Sequence, residues 1–327
     1  MAAAGPAGHA PRMTTVAGII AFALLAAIAP LLGDYQVYLL SLTVVWGTLA
    51  LSMGLLLGYV GEINFGQAAF VAIAAYASSL LRLKLGFNFW LAAPIALALV
   101  LAIAAAVGVI TFRLRGPFFA LVTLAFGEIV RLIIANRQDL TNGPLGLREI
   151  PPPESILGIN FGSKLGFYYL ALAVLGACTA ALARLVRART GRLLVAVRED
   201  SILAEFAGVH VMRQKVIGLS VSAVVAGLGG VLMGPFLTVL SPAQFSIFAS
   251  VDMVVMVVVG GIGTLAGPLI GAVFLIYVPE LLSFTRELRP VMIGALLIVM
   301  TMFMPGGILG LLQPLRGIRM RRREFAA

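Results

Sequence analysis

GYVGEINFGQAAFVAIAAYASSLL, residues 58–81, is apolar enough to lie in a membrane, yet its first ten positions hold three glycines, a carboxylate and two amides. A helix tolerates one glycine, but Gly58, Gly61 and Gly66 in close succession interrupt it. Asn64 and Gln67 then fall three apart, on one face at the start of the next helix. A broken helix frees N–H and C=O groups, which lipid tolerates only beside a cavity or a protein neighbour. The stretch therefore predicts an all-α, polytopic bundle with interrupted helices. Gly61, Asn64, Gly66, Gln67 and, further along, Tyr76 are expected to border a substrate route. A packed polar contact between helices is the competing reading of the two amides. A second interruption, GGIGTLAG at 260–267, adds Gly260, Gly261 and Gly263 to the expected route. Setting Gly66 over Gly267 also pairs Tyr76 with Tyr277, which is too little to establish an internal repeat.

The whole chain agrees with a membrane reading. Of 327 residues, 61% are hydrophobic and only 11% charged, where soluble domains carry about 25% charge. The mean hydropathy is +1.08. A spanning helix needs about 20 apolar residues. Ten apolar segments stand out, near 14–32, 37–58, 64–81, 89–112, 117–135, 166–186, 215–233, 249–262, 266–284 and 290–311. They predict eight to ten spans, with 64–81 and 249–262 the weakest and one of them a candidate half-helix. The first run exceeds the roughly 7–15 residues of a signal-peptide core, so it reads as a retained span. The chain then divides into an N-terminal tail at 1–13, a membrane domain at 14–312 and a basic tail at 313–327.

Basic residues set the orientation. With both termini inside, the inner side holds Arg12, Arg113, Arg115, Arg184, Arg187, Arg189, Arg192, Arg198, Arg213, Lys215, Arg316, Arg319 and Arg321–Arg323, fifteen of the 23. That excess predicts cytoplasmic termini and a cytoplasmic 187–214 interval, with the C-terminal arginines at anionic lipid headgroups. The net charge of +10 is accounted for by this pattern, so nucleic acid is not an expected partner. The outer interval 136–165, with TNGPLGL and three consecutive prolines, reads as turns and extended chain. It is either a partner-contacting loop or an inert cap.

Residues 187–215, RARTGRLLVAVREDSILAEFAGVHVMRQK, form the longest polar interval. Asp200 is a candidate N-cap, Ile202, Leu203 and Phe206 share a side, and Gly208 is a stop. Two turns of helix are marginal alone in water, so this piece reads as one that docks on a surface. A solvated loop is the bland alternative. Small residues recur every four positions at Ser222, Ala226, Gly230 and Gly234, and again at Gly263, Gly267 and Gly271, which predicts close helix crossings.

Little else carries chemistry. None of the three lysines, Lys84, Lys164 and Lys215, follows a glycine, so no G-x-x-x-x-G-K-[ST] phosphate loop exists. His9 and His210 are far apart, and Cys178 is the lone cysteine, so neither a metal centre nor an internal disulfide is expected. No cofactor is implied. Glu128 and Arg131, three apart, read as a structural pair. Glu62, Asp252 and Glu280 are weak candidates for the deep carboxylate that an ion-coupled transporter would need.

Several stretches together resemble branched-chain amino-acid ABC permeases of the LivM type. They are GEINFGQAAFVAIAAYASSLL, GPFFALVTLAFGEI, TNGPLGL with Asn142 in a glycine's place, GRLLVAVREDSILAEFAGV, and SPAQFSIFASVDMVVMVVVGGIGTLAGPLIGA. The resemblance runs in order from about Val37 to Leu312. It implies the permease subunit of an importer in a prokaryotic inner membrane. Its partners would be a second related permease, two cytoplasmic ATP-binding subunits and an extracytoplasmic substrate-binding protein, with ATP chemistry left to other chains. It also implies that Arg198, Glu199, Asp200, Ala204, Glu205, Phe206 and Gly208 form the ATPase-coupling segment. Phe206 departs from the small residue common there. Two other readings stand beside this one: the same fold carrying urea, short amides or aromatic acids, and a secondary transporter driven by an ion gradient.

Overall fold

The computed structural model describes residues 22–113, 117–155, 158, 160–281, 294 and 307–311. They are overwhelmingly helical, as expected of a chain whose backbone polar groups must be satisfied without water. In order come α1 (Phe22–Leu31), α2 (Asp34–Val60), α3 (Gln67–Leu85), α4 (Phe89–Thr111), α5 (Pro117–Asn136) and α6 (Lys164–Arg187). Then follow α7 (Arg189–Glu199), α8 (Ser201–Phe206), α9 (Val211–Leu237), α10 (Ile247–Gly260) and α11 (Ala266–Leu281). Among the described residues six helices, α2 to α6 and α9, are long and apolar enough to cross a membrane.

The two segments read as weakest separate cleanly. The 64–81 segment is α3, a 19-residue helix of spanning length. The 249–262 segment is α10, whose 14 residues give about 21 Å at 1.5 Å per residue, short of a roughly 30 Å hydrocarbon core. The expected tails at 1–13 and 313–327, and nearly all of segment 290–311, lie outside the described residues.

Helix α2 is the axis of the bundle. In its spanning window 83% of residues are buried, against 22% in α4 and 17% in α5, which form the periphery. Helices α6, α9, α10 and α11 pack around it, and α3 packs on α9, α4 and α5. Small residues set the closest crossings, as their four-residue spacing implies. A Cβ on Gly230 would stand 2.4 Å from the Val71 carbonyl oxygen, so α9 and α3 meet backbone to backbone there. A Cβ on Gly271 would stand 1.8 Å from the Met256 carbonyl oxygen, and one on Gly260 1.7 Å from that of Gly267. The short pair α10–α11 is thus joined at both ends of its contact.

At the end of the bundle expected to be outer, the interval after α5 is tied down. Leu147 and Leu240 exchange backbone hydrogen bonds of 3.0 and 2.9 Å. The Arg82 guanidinium, 2% exposed, donates to the carbonyls of Pro151 and Pro152, both at 2.7 Å, and pairs with Glu154 at 3.1 Å. Glu154 also accepts the N–H of Phe89 at the start of α4, at 2.6 Å. Burial opposes ionisation of this carboxyl. The hydrogen bonds from Phe89 and from its own backbone, with the Arg82 charge, outweigh that and hold it below the ordinary carboxylate range. The loop is bonded firmly to the bundle, which is compatible with both readings of it.

Candidate functional site

Helix α2 ends in a π-helical turn, Leu56–Val60, and Gly61 follows with φ +82°. That left-handed conformation reverses the chain, and glycine adopts it without a Cβ penalty. Residues 61–66 then run back along the bundle to start α3. Gly66 lies hard against α5: a Cβ there would be 2.4 Å from the Thr123 carbonyl oxygen.

The two amides sit where this returning segment meets α2 and α9. Asn64 Nδ2 donates to Gln67 Oε1 at 2.8 Å, and Asn64 Oδ1 accepts the N–H of Gly66 at 2.9 Å. Gln67 Nε2 donates to the hydroxyls of Ser52 and Ser222, both at 2.9 Å. Ser222 Oγ in turn donates to the Ser52 carbonyl at 2.7 Å. Sequence reasoning put Asn64 and Gln67 on the wall of a route. In this structure both are 0% exposed: Asn64 is bonded within its own turn and to Gln67, and Gln67 reaches α2 and α9 through Ser52 and Ser222. Tyr76 is buried as well; its hydroxyl donates to the Leu240 carbonyl at 3.0 Å and its ring meets Phe245 edge-on. It fastens the outer segment to α3.

The two glycine interruptions meet each other. A Cβ on Gly58 would stand 3.0 Å from the N of Gly263. Gly261 and Gly263, both at positive φ, form the turn between α10 and α11. Gly260 is the last residue of α10 and is enclosed by Gly267. Of the eight residues expected along a route, Asn64, Gly66, Gln67, Tyr76, Gly260 and Gly261 are buried, Gly263 is half-buried and Gly61 is exposed. A groove of about 630 Å³ lies elsewhere, between α4, α6 and α9. Its lining, Val174, Cys178, Leu182, Val221 and Leu228 among it, is apolar except for Ser220 and offers nothing to hold a zwitterion.

Over the junction of the two interruptions lies the polar interval. The short helix expected after Asp200 is α8: the Asp200 carboxylate accepts the N–H groups of Ile202 and Leu203, both at 2.9 Å, and Gly208 follows the helix with φ +82°. Ala204 is its buried residue. Glu205 is exposed, and Ile202, Leu203 and Phe206 are bare at 64, 67 and 87% exposure. Three large apolar side chains on one two-turn helix outside the bundle are an unpartnered patch.

Sequence reasoning missed α7. Its signal was present: Gly191, Leu194 and Val197, spaced by three, are its buried positions, and the arginines between them disguised the periodicity. It also missed that Arg198 turns inward. Glu62 is paired with Lys215 of α9 across this same end of the molecule. Glu128 and Arg131 form the structural pair expected, with Nε bonds of 2.9 and 3.1 Å. Glu280 accepts the Tyr35 hydroxyl. Among the described residues no cluster of His, Cys, Asp and Glu could hold a metal ion.

The fold and the site define a class: a helical, multi-pass membrane protein with packed helix interruptions and a short helix that bares an apolar face. The chain belongs to the branched-chain amino acid transport system permease family, whose profile matches residues 35–301. It is 31% identical over 297 residues to the high-affinity branched-chain amino acid transport system permease protein LivM of Escherichia coli K12, covering 84% of this chain and 70% of that one. It is 30% identical over the same length to LivM of Salmonella typhimurium, with the same shares. It is 26% identical to the permease protein LivH of Escherichia coli K12 over 284 residues, 81% of this chain and 91% of LivH. No solved structure matches.

Proposed function

We propose that this chain is one permease of an inner-membrane ABC importer that carries branched-chain or similarly apolar amino acids inward. In this reading two cytoplasmic ATPase subunits drive it, a second, related permease completes the path, and an extracytoplasmic binding protein supplies cargo. The cytoplasmic face is the one bearing residues 187–214, and both termini lie on that side. The relatives named LivM and LivH are permease proteins of branched-chain amino acid systems, which supports the cargo class and a paired permease. The fifteen basic residues assigned inside support the orientation.

The observation that carries the reading is the bare apolar face of α8. A six-residue helix with Ile202, Leu203 and Phe206 in solvent is costly unless a partner covers it. Glu205 beside them gives that contact a charge to match. Cargo selection belongs to the separate binding protein, and the groove between α4, α6 and α9, apolar apart from Ser220, is in keeping with that. Asn64 and Gln67 serve the route as the joint between α2, α3 and α9, whose bonds hold the closed form. The test is co-purification of the ATPase subunits with the membrane complex. Phe206→Asp and Glu205→Arg should each weaken ATPase association by at least tenfold, about 1.4 kcal/mol, while the permease still elutes as a folded species. Undiminished association in both variants sinks the docking assignment.

A further inference from the structure

Arg198 is the penultimate residue of α7, three residues before Ser201 opens α8. Its side chain, 33% exposed, lies back against the bundle. It lies across Gly61 so closely that a Cβ on that residue would stand 2.4 Å from Arg198 Cγ. Its Nη1 donates to the carbonyl of Gly58, in the π-helical turn that ends α2. The same nitrogen is 3.8 Å from where a Cβ on Gly263 would be, in the turn between α10 and α11. Its Nη2 and Nε bind the Glu199 carboxylate, the Nε bond measuring 3.2 Å. One guanidinium thus grips the end of α2 and lies beside the α10–α11 turn, from a helix joined to the exposed apolar piece through the single extended residue Asp200.

We propose that Arg198 is the positioning residue that makes α7–α8 and the two glycine interruptions move as one body. The arrangement is built for it. Glycine at 61 leaves the space in which the stem lies, Gly58 lets the two interruptions meet beneath it, and the π-helical turn presents a carbonyl for the guanidinium to grasp. Glu199 holds the guanidinium plane from the other side, so its donors stay aimed. A displacement of α8 by a partner is then delivered to the end of the central helix α2 and to the short α10–α11 pair together. Without Arg198, α7 would still rest on the bundle through Leu194 and Val197, both buried, but would slide over the interruptions instead of pulling on them. The proposal rests on the reading of residues 187–214 as the docking loop, and two experiments separate its failure from the failure of that reading.

The first needs no partner. Spin labels at Ala196→Cys and Ile262→Cys, both exposed positions, are introduced into the full-length chain carrying Cys178→Ala. The expected distance distribution is narrow, broadens markedly with Arg198→Ala, and narrows again with Arg198→Lys, which keeps a donor for the Gly58 carbonyl. An unchanged distribution in Arg198→Ala overturns the proposal whatever the chain transports. The second uses the assembled importer in liposomes and reads ATP hydrolysed per leucine imported. Arg198→Ala should raise that ratio several-fold with ATPase association intact, and Gly61→Ala, which displaces the stem, should do the same. A wild-type ratio overturns the proposal. So does loss of association in Arg198→Ala, because Arg198 would then belong to the docking face itself.

Discussion

At the scale of single residues, the membrane interior makes polar satisfaction decisive. Gln67 holds Asn64, Ser52 and Ser222 together, and all four are buried. Replacing it with leucine leaves the Asn64 amide and a serine hydroxyl short of partners in low dielectric, a cost of about 1–3 kcal/mol. The expected outcome for Gln67→Leu is a clearly lower melting temperature of the detergent-solubilised chain, with slower transport in the assembled importer. If transport slows while the melting temperature stays put, the amide lines the route and does not serve as a joint. Glu154 gives a pH dependence. Its carboxyl is held below the ordinary range in the folded protein, so its contribution is complete above that range and is lost as the pH falls through the depressed value. Amide exchange, corrected for intrinsic rate, should accelerate around residues 149–155 in mildly to strongly acidic solution. In Glu154→Gln that acid-dependent step should be absent, and its persistence would assign it to another group.

At the scale of elements, the short pair α10–α11 shows how packing makes up for length. Neither helix is long enough to cross alone, and their backbones meet at Gly260, Gly267 and Gly271. The Gly271 crossing leaves no room for a methyl group, because its neighbour is the Met256 carbonyl, which no side-chain rotation can move. Gly33, by contrast, has nothing within 4 Å of where a Cβ would be. Gly271→Ala is therefore expected to cost more than the roughly 1–3 kcal/mol of ordinary overpacking and to abolish the monodisperse species in heated size-exclusion profiles. Gly33→Ala should stay within about 0.5 kcal/mol of the wild type, as surface changes usually do. Equal profiles for the two variants would contradict the close crossing.

At the scale of the whole molecule, the two ends of the bundle are built differently. One end carries the clamp of Arg82 and Glu154 and the Leu147–Leu240 bridge. The other carries α7, α8, the Glu62–Lys215 pair and the junction of the interruptions. The proposed orientation places the first outside and the second in the cytoplasm. A cysteine at Leu145, 68% exposed, should react with an impermeant maleimide in sealed cells. One at Phe206 should react only after permeabilisation. The reverse pattern would invert the assignment, and with it the side from which an ATPase could dock.

The sequence alone determined that this is a helical membrane bundle, where its long helices run, and which residues cap and stop α8, because those follow from local hydropathy, capping chemistry and glycine conformation. Asp200 and Gly208 were legible for that reason. So were the small-residue crossings at Gly230 and Gly271, whose four-residue spacing is a property of one helix face. Only the tertiary structure decided which groups the polar residues at the interruptions meet. Asn64 and Gln67 read as route lining, with packing as the competing reading, and an amide's surroundings depend on what stands opposite it, here Ser52 and Ser222 from two other helices. Arg198 read as a cytoplasmic charge within the expected coupling segment, and its seat on Gly61 and the Gly58 carbonyl, more than 130 residues earlier, was visible only in the fold. Contacts between segments that far apart are set by how helices stack, and no local pattern encodes them.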